Sequence, residues 1–103
     1  MTINIKQHDT KGKFVDILML NGVPINLAGC VVSFLMKKSG VAIKQPAVIV
    51  NSSGGSVEYQ PTAADVSKDG KYQQEWEIIF INGEILTVPN NTWNTVNILK
   101  DLG

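Results

Sequence analysis

Large residues recur at every second position from Tyr72 to Phe80, with Tyr72, Gln74, Trp76, Ile78 and Phe80 on one side and Lys71, Gln73, Glu75 and Glu77 filling the gaps. A period of two is that of a half-buried strand, so the first set is expected to point inward. Asn82-Gly83 follows. Both residues tolerate positive φ, and the pair predicts a two-residue type I′ turn in which Ile81 faces Glu84, Phe80 faces Ile85 and Ile78 faces Thr87. Just upstream, Gly70-Lys71-Tyr72 has the spacing of a tyrosine corner, in which a Tyr hydroxyl bonds backbone a few residues back.

The same reading extends along the chain. Ile3 and Ile5 alternate with polar neighbours and predict a short first strand or arm before a polar break at Asp9–Lys13. Phe14 to Leu20 is apolar apart from Asp16, as expected of a mid-sheet strand covered on both faces for part of its length. Asn21-Gly22-Val23-Pro24 turns the chain, and Ile25 to Leu27 leads into Cys30–Lys38, where Val32, Phe34 and Met36 form the core face. Ile43 to Val50 returns after the Ser39-Gly40 turn, and Pro46, which lacks an N–H, marks it as an edge or a bulge. Asn51 to Gly55 is a loop, Ser56 to Gln60 a short strand, and Thr62 with Asp65 three residues on has capping-box spacing for a single helical turn. Trp93 to Leu99 alternates again. Seven to eight short strands with Gly and Asn turns between them predict an all-β antiparallel sandwich, a single domain over residues 1–103.

Composition narrows the function classes. Nine Lys balance nine Asp plus Glu, and the absence of Arg, the side chain best suited to bidentate phosphate contacts, argues against nucleic acid as a partner. Cys30 stands alone in an apolar run and is read as a small buried hydrophobe. The first residues lack the apolar stretch of a signal peptide and no run approaches the roughly 20 residues of a membrane span, so a soluble, cytoplasmically made protein is expected, with no membrane partner.

Chemistry is sparse. His8 is the only histidine and has no Cys or second His at metal spacing, so no metal or other cofactor is expected. A hydrolase triad would have to recruit His8 from a polar break, and no nucleophile elbow is present. Glu75 and Glu77 share a strand face as a glycosidase pair could, but paired carboxylates on a solvated sheet face are commonplace and are read that way. No catalytic residue is assigned. Trp76 belongs to the inward set, whereas Trp93 follows an Asn-rich loop and either closes the end of the sandwich or stands exposed. With the type I′ register, Ile79, Ile81, Leu86 and Val88 share the outer face, rimmed by Glu75, Glu77 and Glu84. An apolar patch of this kind is covered either by a partner subunit, the interface expected here, or by another segment of the same chain.

The order of motifs is also informative. Asp9-Thr10 precedes a hydrophobic strand, then come Asn21-Gly22-Val23-Pro24-Ile25-Asn26-Leu27-Ala28-Gly29 and Val32-Ser33-Phe34-Leu35-Met36-Lys37. Gly55-Ser56-Val57-Glu58-Tyr59 follows, then Asp69-Gly70-Lys71-Tyr72-Gln73-Gln74-Glu75-Trp76, Thr87-Val88-Pro89 and Asn97-Ile98-Leu99-Lys100-Asp101-Leu102. This ordered set resembles the N-terminal domain of phage baseplate upper proteins of siphophages, over almost the whole chain. The resemblance implies an immunoglobulin-like sandwich and a non-enzymatic virion structural module of tail, baseplate or neck. Such a module forms a homo-oligomer, a trimer or a hexamer, and joins other phage structural proteins, among them those of host adhesion. Proteins of that family continue into coiled-coil and distal domains. This chain stops at Gly103, so a stand-alone tail, neck or capsid-decorating protein or an excised domain is expected. The alternative is a carbohydrate-binding module that contacts host-wall glycans through Trp93, Asn90, Asn91 and Tyr59.

Overall fold

Alternation of large and polar side chains is strongest in two runs of the chain, and the structure pairs those two runs with each other at its centre. The computed structural model describes residues 2–89 and 92–102. Its strands are β1 (Thr2–Lys6), β2 (Phe14–Ile17), β3 (Met19–Leu20), β4 (Val23–Pro24), β5 (Val31–Lys38) and β6 (Val41–Pro46). They continue as β7 (Val48–Asn51), β8 (Ser56–Tyr59), β9 (Gly70–Ile79), β10 (Ile85–Val88) and β11 (Asn94–Leu99). A six-stranded sheet has the order β1-β11-β9-β5-β6, with β10 pairing the far half of β9; a three-stranded sheet has the order β2-β8-β7, and β3-β4 form a small ribbon. The expected all-β sandwich is present. All described strand pairs are antiparallel except β1 with β11, which run parallel.

Of the inward set read from this run, Tyr72, Gln74, Trp76 and Ile78 are buried, together with Val32, Phe34 and Met36 of β5, while Phe80, just past the end of β9, is half-buried against the core. Phe34 is the hub between the layers, with ring centroids 4.8 Å from Phe14, 4.6 Å from Tyr59 and 5.4 Å from Trp76. Tilted and edge-on aromatic pairs at these separations add to the gain from burial. Polar atoms inside are matched. Gln74 accepts from Asn94 Nδ2 at 2.9 Å, and Trp76 Nε1 donates across the sandwich to Asp16 Oδ2 at 3.1 Å. The tyrosine corner forms as expected, the Tyr72 hydroxyl donating to the Lys68 carbonyl at 2.9 Å.

Several expectations need correction. Phe14–Leu20 is not a mid-sheet strand covered on both faces. It breaks at buried Leu18, and β2 is an edge of the small sheet with Val15 and Ile17 exposed. Ile43–Val50 likewise divides at Ala47, because β6 pairs with β5 and β7 with β8, so the chain changes sheets just after Pro46. Such bends form the corners of sandwiches. The strand count therefore rises above eight. Thr62 and Asp65 do exchange capping bonds, Asp65 Oδ2 accepting from Thr62 N at 2.9 Å and Thr62 Oγ1 from Asp65 N at 3.3 Å, but they close successive turns rather than a helix. Gly55 is irreplaceable at its site: its φ is +69°, and a Cβ there would lie 2.6 Å from the Leu18 carbonyl oxygen.

The central hairpin differs in register. The Gly83 N–H donates to Phe80 O and the Phe80 N–H to Glu84 O, each at 2.8 Å, so the loop is Ile81-Asn82-Gly83. This is a type I turn followed by Gly83 at φ +88°, the usual three-residue hairpin, and not a type I′ turn. Asn82 Oδ1 accepts from the Glu84 N–H at 3.0 Å and stabilises it. One extra loop residue slides β10 by one position, so Ile85 faces Ile79, Leu86 faces Ile78 and Val88 faces Trp76.

Candidate functional site

That one-residue slide divides the four residues expected on a common outer face. Val88, 4 % exposed, lies opposite Trp76 in the core, and Leu86 packs against the core beside Ile78. Ile79 and Ile81 keep the outward position. Their companions are Val31 and Ile85, for β5, β9 and β10 are adjacent and Val31, Ile79 and Ile85 form one cross-strand row. Val31 is 60 % exposed, Ile85 63 % and Ile81 87 %. Ile81 leans over Gly29, its Cδ1 3.3 Å from the position a Cβ there would take. The result is an apolar pole at one end of the large sheet, made of β-branched side chains that pair well across strands and have no covering segment among the described residues.

The remainder of that outer face is mostly polar, with Leu35 between Glu75 and Lys44. Glu77 is ion-paired with Lys44 at 3.1 Å, and Glu84 accepts from Asn82. Glu75 lies beside Lys37 and Gln73 in a shallow cleft of about 270 Å³, with Lys44 on its rim. The outer face of the small sheet is apolar at its margins, with Val15, Ile17, Val48 and Val50 exposed around Glu58. The hydrophobic run Phe14–Leu20 signals this surface, although its period implies two buried faces.

The glycan set is not brought together. Trp93 is 51 % exposed and lines a cleft of about 420 Å³ with Lys37, Lys71, Gln73 and Thr95. Tyr59 is in the interior, its ring against Phe34 and its hydroxyl donating to the Asp65 carboxylate. Burial, then the hydrogen bond to Asp65 and its charge, pushes the Tyr59 pKa well above the usual tyrosine range. Burial chiefly, with a contribution from Asp69, raises Tyr72 as well. Asn90 and Asn91 lie outside the described residues. No group of three or more His, Cys, Asp and Glu side chains placed to hold a metal occurs among the described residues.

A further concavity, about 800 Å³, was not foreseen from the sequence. It runs beside β1 under the His8–Lys13 crossing.

Comparison with known proteins agrees with a structural role. The solved N-terminal domain of phage TP901-1 ORF48 shares the fold, with a TM-score of 0.69 at 14 % identity over 98 % of this chain and 85 % of that one. No curated protein matches. The family model of the BppU N-terminal domain, that of the baseplate upper protein, matches residues 1–95. The chain therefore belongs to the BppU N-terminal domain family and is a structural module of the phage tail baseplate.

Proposed function

We propose that this domain is a non-enzymatic assembly module that associates with copies of itself and docks other tail or baseplate proteins through its outer surfaces. The observation that carries the reading is the row Val31, Ile79 and Ile85 with Ile81 beside it, at one end of a face that is mostly polar elsewhere. Exposed aliphatic side chains gathered in one patch lose contact with water when two copies meet, whereas scattered ones do not. The carboxylates of the face support the same reading. Glu77 is held by Lys44 and neither it nor Glu75 opens into a deep pocket, an arrangement suited to a rim and not to turnover.

The test is light scattering over a range of concentrations on the protein and on its Ile81→Lys/Ile85→Lys variant. The protein is expected above monomer mass and the variant at it, with an unchanged fold. A wild-type protein that stays monomeric at all concentrations overturns self-association.

A second reading rests on Trp93, which stands exposed beside Lys37, Lys71 and Gln73 and could stack a sugar of a host-wall glycan. Trp76 is 1 % exposed, so any quenching of tryptophan fluorescence by polysaccharide reports on Trp93. Saturable quenching supports this reading, and its absence removes it.

A further inference from the structure

The large sheet has two edges, and they are built differently. At β6, Pro46 offers no N–H, Lys44 stands on the strand, and the chain bends away into the other sheet, devices that discourage a further strand. β1 has no such bend or proline. The Gln7 N–H donates to the Leu99 carbonyl at 2.8 Å, so by alternation Ile3, Ile5 and Gln7 turn their backbone groups toward β11 while Asn4 and Lys6 turn theirs away. The Lys6 carbonyl is taken by the Asp9 N–H at 3.2 Å. The N–H and C=O of Asn4 and the N–H of Lys6 have no protein partner among the described residues.

Beside this edge lies the groove of about 800 Å³, within the size range of sites that enclose ligands. Ile3, Ile5 and Leu99 contribute its apolar lining. Its far wall is preformed, since His8 N–H donates to Val66 O at 3.0 Å and Gln60 Nε2 to Thr10 O at 2.6 Å, holding the crossing in place. Its charge is one-sided: Lys6, Lys11 and Lys13 line it against the single carboxylate of Asp9. Lys13 is ion-paired with Glu58 at 3.3 Å and His8 contacts Asp101 at 3.2 Å, while Lys6 and Lys11 join no ion pair among the described residues.

We infer that β1 accepts an extended, carboxylate-bearing segment of another phage structural protein as an added strand. Backbone bonds to Asn4 and Lys6 hold it, alternate apolar side chains enter the groove, and its carboxylates meet Lys6 and Lys11. The five residues of β1 set a footprint of about 17 Å. A second copy of this chain fits less well, because β1 itself (TINIK) carries no carboxylate to meet Lys6 and Lys11. The inference rests on the assembly reading for its biological partner, but its test does not depend on oligomeric state, so either can fail alone.

The experiment titrates isotope-labelled protein with two probes, acetyl-VEVEVEV-amide and acetyl-VKVKVKV-amide, and follows amide shifts and hydrogen exchange. The glutamate peptide is expected to move the amides of residues 2–6 and to slow exchange at Asn4 and Lys6 about tenfold, weakening as salt is added. The lysine peptide should do neither, and Lys6→Glu/Lys11→Glu should reverse the preference. Asn4→Pro, which removes an outward N–H, should abolish binding while the β5 and β9 amides stay unshifted. Absence of binding, equal binding of both peptides, shifts centred elsewhere, or concentration-dependent protection of Asn4 and Lys6 without peptide would each overturn the inference.

Discussion

Ile78 and Ile79 are adjacent in sequence and alike in chemistry, yet they belong to different surfaces. Ile78 is fully buried beside Val32 and Leu86, in the layer that meets Trp76 and Phe34. Ile79 sits outside in the row with Val31 and Ile85, where nothing described covers its neighbours. Both faces of β9 are apolar at this end, but only one is covered among the described residues. The inner face is closed by a second sheet and its polar atoms are matched; the outer face carries an apolar row that no described segment covers. Sequence hydrophobicity reports the total for both, and which part belongs to the core is decided by which side of one strand a residue occupies.

Substitutions along β9 and its neighbours should therefore separate into two kinds. The largest effect belongs to the inner face: Trp76→Ala removes a ring packed on Phe34 and should cost about 3–5 kcal/mol, read from urea unfolding. Leu86→Lys puts a charge on the core side and should cost about 2–3 kcal/mol, whereas its neighbour Ile85→Lys should change stability by no more than about 0.5 kcal/mol. Asp65→Ala removes the acceptor of the Tyr59 hydroxyl and of the Thr62 N–H together, and about 2 kcal/mol is expected. Asp16→Ala leaves Trp76 Nε1 without its acceptor and should cost about 1–3 kcal/mol.

A smaller effect comes from pH. The folded pKa of Tyr59 is raised, so the native state holds this proton more tightly than the unfolded chain does. Its contribution is complete below the unfolded value of about 10 and is lost as pH rises above it. Melting temperature should fall over that alkaline window. Tyr59→Phe should flatten the fall. A fall of unchanged steepness in the variant would show that the buried phenol is not its source.

Much of this was legible in the alternation of residues. The inward set of β9, the core face of β5, the bond from Tyr72 to the Lys68 carbonyl and the Thr62–Asp65 exchange all follow from local spacing, because each depends on neighbours a few residues away. What escaped depends on tertiary geometry or on a fine balance of turns. Asn82-Gly83 suits a type I′ turn, but the Asn82 side chain also bonds the Glu84 N–H, and a three-residue loop needing positive φ only at Gly83 prevails. That choice moved β10 by one residue and exchanged Leu86 and Val88 for Ile85 on the outer face. Asp16 reads as an exception in an apolar run, and only the opposite sheet reveals that it receives the Trp76 N–H. The changes of sheet after Pro46 and at Leu18 are likewise properties of the folded pair of layers. For Trp93 the alternation leaves burial open, and the structure places it outside, whereas Tyr59 is interior.

Sedimentation velocity on Ile85→Lys and Leu86→Lys, run beside the parent protein and paired with a melting curve for each, tests the division of labour between the two faces of this hairpin most directly. The account predicts that Ile85→Lys keeps the parent's melting temperature and sediments as a monomer, while Leu86→Lys melts roughly 10 °C or more lower. An Ile85→Lys protein that unfolds, or one that retains the parent's assembly at every concentration, would contradict it.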